Sequence, residues 1–115
     1  MEQHIDQYLQ DHLPRFIQEV IRLCAQPSIS ATGQGVAECA QLVASLLEEH
    51  GISAQSFSGY GNPIIVGRLT GASPRTLLFY NHYDVQPVEP LELWTSPPFE
   101  PVLREDKIFA RGVAD

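Results

Sequence analysis

The sequence has few basic residues and no cluster of them. Seven Lys and Arg side chains stand against fourteen Asp and Glu, which gives a formal net charge of -7 at pH 7. Nucleic-acid binding needs clustered cationic side chains, and so does attraction to an anionic membrane surface. The composition therefore predicts no nucleic-acid partner and no membrane partner. The acidic surface is expected mainly to favour solubility.

Long apolar runs and a secretion signal are also missing. The longest apolar stretches, such as residues 77–80, are far too short to span a bilayer, which takes about 20 residues. The first residues, Met1 to Asp6, have neither a basic start nor an apolar core. Cysteine is scarce, and Cys24 and Cys39 lack CxxC spacing, so they are interpreted as small buried hydrophobic residues. These features predict a cytoplasmic protein.

Two helices are predicted in the first half of the chain, because apolar residues recur there every three or four positions. Pro14 is expected to kink or divide the first helix, and Pro27 to mark its end. Gly51 stands where the end of the second helix is expected. The apolar faces comprise Ile5, Leu9, Leu13, Phe16, Val20 and Cys24 in the first helix and Val36, Ala40, Val43 and Leu47 in the second.

The second half of the chain has the pattern of strands separated by glycine and proline turns. Alternating or apolar residues predict strands at 52–57, 63–69, 75–80 and 107–110. The uninterrupted apolar run in 75–80 is typical of an interior strand covered on both faces. The predicted fold class is α/β, a three-layer sandwich with helices flanking a mixed, largely parallel sheet. No linker or repeat divides residues 1–115.

His82 and Asp84 directly follow the predicted interior strand. In open α/β sheets, ligands bind in the crevice outside the carboxyl ends of the strands. Imidazole and carboxylate are good zinc ligands, and side chains two apart on an extended segment point to the same side. Asp84 is therefore either a second metal ligand or a partner for the other imidazole N–H of His82. The second role is favoured, since a carboxylate partner fixes the tautomer and raises the basicity of the ligand.

Asp115 is a further candidate metal ligand. It follows the last predicted strand and Gly112, and glycine allows the backbone to approach a site closely. Alone, an aspartate in such a position is usually only solvated. Coupled to His82, it is a candidate bridge between two metal ions, which lie about 3.5–4 Å apart in two-metal hydrolytic sites.

Three sequence motifs resemble those of one enzyme family in order and spacing. The motifs are Tyr80-Asn81-His82-Tyr83-Asp84-Val85-Gln86-Pro87, Trp94-Thr95-Ser96-Pro97-Pro98-Phe99-Glu100-Pro101 and Ala110-Arg111-Gly112-Val113-Ala114-Asp115, preceded by Gln26-Pro27-Ser28-Ile29-Ser30. With these motifs the sequence is similar to the dinuclear zinc aminopeptidase/carboxypeptidase family, which contains carnosine-type dipeptidases, glutamate carboxypeptidases, aminoacylases and succinyl-diaminopimelate desuccinylases. The first two motifs look most like the dipeptidase branch.

The resemblance implies a role for each candidate residue. His82 would ligate one zinc ion, Asp115 would bridge two, and Asp84 would be the catalytic-site carboxylate that orients His82. Zinc is the implied cofactor, with cobalt or manganese as alternatives. The implied substrate is a small peptide or an N-acyl amino acid, hydrolysed by a metal-activated water with a glutamate as general base.

Several elements of the family have no counterpart in this sequence. They are a Glu-Glu pair that carries the general base, a further acidic ligand, a distal His, a Lys-Gly element after the bridging Asp, and a small lid and dimerisation domain. Residues 1–115 are therefore expected to be the N-terminal portion of a metallopeptidase catalytic domain. Because two protein ligands cannot close a tetrahedral zinc site, the truncated chain is expected to be inactive alone.

Two alternatives to a dipeptidase-like hydrolase stay open. One is a deacylase of the aminoacylase or desuccinylase type, which shares the chemistry of the site. The other is a non-catalytic polypeptide that only folds or self-associates as a homo-oligomer. An interior strand without a partner would favour association, since it exposes apolar surface and open edges.

Overall fold

The computed structural model describes residues 1–115 and has a mixed α/β composition, as predicted. Two helices come first and short strands follow. No helix combines the length and the apolar character needed to cross a bilayer. The elements are α1 (Glu2–Cys24), α2 (Val36–Glu49), β1 (Ser53–Phe57), β2 (Ile64–Arg68), a 3-10 turn (Leu91–Leu93), β3 (Val102–Arg104) and β4 (Lys107–Phe109).

α1 runs without interruption through Pro14, so the predicted division of this helix is wrong. A proline inside a helix removes one backbone hydrogen bond and crowds the preceding turn, at a cost of about 3 kcal/mol. The turns on either side of Pro14 keep their own hydrogen bonds, and contacts with α2 hold the second half of the helix in place. Arg22 Nη1, for example, lies 2.8 Å from Glu49 Oε1. The local cost of a proline, which is all that the sequence indicates, does not include these contacts.

α2 ends at a glycine, as predicted. Gly51 follows the cap residue His50 and has φ +74°. The N–H groups of Gly51 and Ile52 donate to the carbonyls of Glu48 and Leu47, each at 2.9 Å. This pair of bonds is the Schellman arrangement, which satisfies carbonyl groups that the helix end leaves free. The left-handed conformation of Gly51 turns the chain from α2 into β1.

Both sheets are two-stranded and antiparallel, so the predicted mixed, largely parallel sheet between flanking helices is wrong for these residues. β1 pairs with β2, with Ser53 opposite Arg68. Parallel strands need a crossover of a dozen or more residues, whereas only residues 58–63 separate β1 from β2. The parallel contact that does form is an isolated bridge between Ile29 and Val85.

The third predicted strand, residues 75–80, forms no ladder. The side chains from Leu77 to Tyr80 are 77–87% exposed. An apolar run can indicate an interior strand, but a strand also needs a neighbouring backbone to take up its hydrogen bonds, and no other segment of the chain does so. The structure also contains β3, which was not predicted. A turn with positive φ at Glu105 and Asp106 joins β3 to β4.

The core is small and lies behind the candidate site. Eight of the 115 residues are buried, and the radius of gyration of 16.2 Å exceeds the value of about 13 Å typical of a compact domain of this length. Cys24 and Cys39 are buried free thiols, as predicted, and burial raises the pKa of each. The buried residues join the end of α1 and the start of α2 to the segment that follows His82; they are Cys24, Ser28, Ile29, Val36, Cys39, Ala40, Val88 and Pro98.

Candidate metal centre

The imidazole of His82 lies between the two predicted partner residues. Its Nε2 is 3.0 Å from Oδ1 of Asp115. Its Nδ1 is 3.0 Å from the backbone carbonyl oxygen of Asp84 and 3.2 Å from Oδ1 of the same residue. The structure therefore brings all three predicted site residues together. It also separates their positions: Asp84 faces one ring nitrogen, and Asp115 faces the other.

The two ring nitrogens of His82 are suited to different tasks. The Asp84 carbonyl can only accept a hydrogen bond, so Nδ1 carries a proton and donates it. In the neutral ring this leaves the Nε2 lone pair directed toward Asp115, where a cation could bind. Without a cation, a proton on Nε2 can occupy this position instead, and the protonated ring then donates a hydrogen bond from Nε2 to the Asp115 carboxylate. The geometry thus suits either a proton or a metal ion between His82 and Asp115.

A hydrogen-bond network fixes the segment that carries His82 and Asp84. The Val85 N–H donates to the Ser28 carbonyl at 2.9 Å, and the Ser28 hydroxyl donates to the Tyr83 carbonyl at 2.7 Å. On the other side, the Tyr83 hydroxyl donates to the carbonyl of Pro63, just before β2, at 2.6 Å. The His82 segment is thus held between the loop after α1 and the β1–β2 hairpin.

Arg111 fixes the segment that leads to Asp115. Its backbone N–H donates to the Pro98 carbonyl at 2.8 Å, and its Nη2 donates to the Pro87 carbonyl at 3.1 Å. The guanidinium also lies 5.1 Å from the centre of the Trp94 ring, within the range of a cation–π contact. A planar group that both stacks and donates is not replaced by a lysine.

Gly112 allows the Asp115 segment to approach the His82 segment closely. It has φ +92°, and a Cβ at this position would lie 3.2 Å from Cγ1 of Val85. Sequence reasoning gave no role to Ser28 or Arg111, although both lie in motifs that it singled out. Neither residue type is a zinc ligand, so residue type alone does not indicate their contribution to the site.

The donor set fits part of a metal site. Imidazole nitrogen and carboxylate oxygen bind zinc at about 2.0–2.2 Å, so two such atoms on one tetrahedral ion lie roughly 3.3–3.6 Å apart. The observed 3.0 Å between Nε2 of His82 and Oδ1 of Asp115 is close to this separation. The chain has no group of three or more His, Cys, Asp or Glu side chains placed to hold one ion. These residues therefore offer two ligands, where a closed tetrahedral site needs four.

The Asp84 carbonyl, together with the two carboxylates, raises the pKa of His82 above its ordinary value. The hydrogen bond to the Asp84 carbonyl raises the pKa of His82 from 6.5, and the charges of Asp84 and Asp115 raise it further. A raised pKa means that the pairs stabilise the folded chain below pH 6.5 and that this contribution is lost as the pH rises through the folded-state pKa. Asp115→Asn should lower the pKa of His82, as followed by the NMR shift of its Hε1 proton.

Asp106→Asn is the control, because Asp106 lies in the β3–β4 turn outside the contacts of His82. It should leave the His82 titration unchanged. A wild-type pKa at or below 6.5, or equal shifts in the two variants, would contradict the observed arrangement.

The residues of the candidate site match the model of a known protein family. Residues 78–115, which contain His82, Asp84 and Asp115, match the model of the peptidase family M20/M25/M40. This part of the chain is similar to peptidase family M20/M25/M40. The resemblance inferred from the sequence motifs is thereby confirmed.

Relatives of the M20/M25/M40 family match well beyond residues 78–115. A succinyl-diaminopimelate desuccinylase from Delftia acidovorans is 33% identical over 109 residues, which are 90% of this chain and 28% of that enzyme. A desuccinylase from Janthinobacterium is 38% identical over 93 residues, which are 81% of this chain and 24% of that enzyme. The crystal structure of Sso-CP2, an M20 metallo-carboxypeptidase from Sulfolobus solfataricus, aligns with a TM-score of 0.80 at 38% identity. The alignment covers 84% of this chain and 22% of the carboxypeptidase.

The chain spans about a quarter of the length of the curated relatives that it matches. The M20/M25/M40 relatives include hydrolases named as desuccinylases and as a metallo-carboxypeptidase. The finer resemblance to the dipeptidase branch is tested by none of these matches and stays a prediction. The fold of the matched part agrees with that of an M20 enzyme.

Proposed function

We propose that this chain supplies two ligands of a metal site for hydrolysis of amide bonds in small substrates. The observation that carries the proposal is the placement of His82 with one ring nitrogen on Asp84 and the other 3.0 Å from Asp115. The match of residues 78–115 to the model of a peptidase family supports it independently.

His82 and Asp115 would hold the metal, and Asp84 would act through His82. By accepting a hydrogen bond from the Nδ1–H group, the Asp84 carbonyl and carboxylate keep the ring in the tautomer whose Nε2 lone pair is free. Asp115 presents its second oxygen to solvent, since its side chain is 82% exposed, and that oxygen is available to a second ion. Zinc is the proposed metal, with cobalt or manganese as alternatives. When bound, it would lower the pKa of a coordinated water and polarise a substrate carbonyl.

The proposed substrate class is a dipeptide or an N-acyl amino acid. Both contain an amide bond next to a small polar group, and the site chemistry is the same for both. The motifs favour dipeptides, whereas the names of the desuccinylase relatives favour deacylation. The residues that would discriminate between dipeptides and N-acyl amino acids do not include His82, Asp84 or Asp115, which act on the amide bond itself.

Metal binding to the 115-residue chain tests the proposal directly. Titration with Co²⁺, followed by NMR, should produce saturable paramagnetic shifts centred on His82 and Asp115. The affinity should be weak, because two protein ligands leave the rest of the coordination shell to water. His82→Ala should abolish the saturable effect, because it removes the nitrogen ligand.

His4→Ala is the matched control, since it removes an exposed histidine near the start of α1. It should leave the Co²⁺ shifts of the site unchanged. Shifts that are absent in the wild-type chain, or that persist in His82→Ala, would overturn the metal site.

A second candidate function is self-association without catalysis. The exposed run from Leu77 to Tyr80 favours it, because these side chains are 77–87% exposed. Between Thr70 and Asp84 no backbone group takes part in a backbone–backbone hydrogen bond. We propose a second copy of this chain as the partner, since an unpaired backbone can add strands from another molecule.

A further inference from the structure

The segment that carries His82 has few anchors of its own. No backbone–backbone hydrogen bond involves residues 70–84, so neither a helix nor a sheet sets the position of the imidazole. The first backbone–backbone bonds after this stretch are those of Val85. Whatever fixes His82 must therefore reach it through side chains or through Val85.

Ser28 provides both kinds of contact. It is 2% exposed, and its hydroxyl donates to the Tyr83 carbonyl at 2.7 Å. Its own carbonyl accepts the Val85 N–H at 2.9 Å. The neighbouring Ser30 contributes less, because its hydroxyl lies 3.4 Å from the Val85 carbonyl and is exposed.

These two bonds hold the two peptide units on either side of the Cα of Asp84. The Tyr83 carbonyl belongs to the peptide before Asp84, and the Val85 N–H belongs to the peptide after it. The carbonyl of this second peptide is the Asp84 oxygen that accepts from Nδ1 of His82 at 3.0 Å. Ser28 thus fixes the N–H end of a peptide plane whose carbonyl end orients the imidazole, because peptide units are rigid and planar.

We propose that Ser28 is a positioning residue for the metal ligand His82. The proposal rests on the function proposed above, in which His82 binds a metal. Without the hydroxyl, the Tyr83 carbonyl loses a short, partly buried hydrogen bond. The peptide before Asp84 can then rotate, which shifts the Cα of Asp84 and turns its carboxylate away from Nδ1, although the bond from Val85 to the Ser28 carbonyl remains. Cys39 cannot replace the hydroxyl, since its Sγ lies 3.8 Å from the Tyr83 carbonyl and is a weak donor.

The test compares Ser28→Ala with Ser30→Ala in the 115-residue chain. In the absence of metal, NMR contacts between the His82 ring and the Asp115 Cβ protons report the position of the imidazole. In Co²⁺ titrations, the dissociation constant reports the ligand geometry. Partners of metal ligands typically change metal affinity by 10–100-fold, so Ser28→Ala should weaken Co²⁺ binding by about tenfold and remove the His82–Asp115 contacts. Ser30→Ala should change the affinity by less than about twofold.

Ser28→Thr and Ser28→Val separate positioning from packing. The two side chains have the same shape, and only threonine keeps the hydroxyl. Threonine should retain the His82–Asp115 contacts and the affinity, and valine should lose both. This pair also serves if Ser28→Ala does not fold.

The possible outcomes distinguish the two proposals. If the wild-type chain shows the metal-free contacts but no saturable Co²⁺ effect, the metal site fails, and the contacts alone decide the role of Ser28. If Co²⁺ binds the wild-type chain and both serine-to-alanine variants with equal affinity, with the His82–Asp115 contacts intact, Ser28 has no positioning role. Equal behaviour of the threonine and valine variants would overturn the inference in the same way.

Discussion

Replacing Gly35 with alanine is expected to lower the free energy of unfolding by about 3 kcal/mol or more, the sum of backbone strain and overpacking. Gly35 precedes α2 with φ +72°, a conformation that side-chain-bearing residues adopt only with strain. A Cβ there would overlap the carbonyl oxygen of Pro27 and lie 2.7 Å from the carbonyl carbon. These atoms are backbone, so they cannot rotate away. Urea denaturation followed by circular dichroism measures the change.

Gly33→Ala is a matched control for Gly35→Ala. Gly33 has almost the same φ, +75°, but a Cβ at this position would have no neighbour within 4 Å. Its replacement should therefore cost only the backbone strain, about 1 kcal/mol. Equal destabilisation by the two variants would show that the contact with Pro27 does not matter.

The same clash links Gly35 to the metal centre. Pro27 precedes Ser28, so displacing the Pro27 carbonyl would also move the two bonds that hold the peptides beside Asp84. Gly35→Ala should therefore remove the contacts between His82 and Asp115 in whatever fraction of the chain still folds. The fold and the site share this loop.

The helices could be predicted from the sequence because their signals are local. A repeat of apolar residues every three or four positions and a glycine at the end, Gly51, both act within a few residues. The missing interior strand at 75–80 shows the limit of that reasoning. Apolar residues predict that a strand is buried, but they do not identify the distant backbone segment that pairs with it.

The candidate site was predictable to the extent that its chemistry lies in residue type. His82, Asp84 and Asp115 are ligand-type residues in recognisable motifs, and the structure brings them together. Ser28 could not be found in this way, because its contribution depends on which carbonyl its hydroxyl reaches across 55 residues. Such a contact becomes visible only once the tertiary structure is known.

The exposed run at 77–80 is expected to make the chain associate in a concentration-dependent manner. Four large apolar side chains there are 77–87% exposed, next to a backbone without hydrogen-bond partners. Burial of one leucine contributes about 1.5–3 kcal/mol. Leu78→Glu should therefore raise the dissociation constant of the self-associated species by at least about tenfold. Sedimentation equilibrium over a range of concentrations measures this.

Leu93→Glu is the matched control, because it makes the same chemical change at a similarly exposed leucine in the 3-10 turn. Both variants add one negative charge to an already acidic chain, so any effect of net charge is the same for the two. Only Leu78 belongs to the run beside the unpaired backbone. If the two variants dissociate equally, charge rather than the apolar run governs association. If the wild-type chain is monomeric at all concentrations, self-association through residues 77–80 is excluded, which leaves metal binding as the function to be tested.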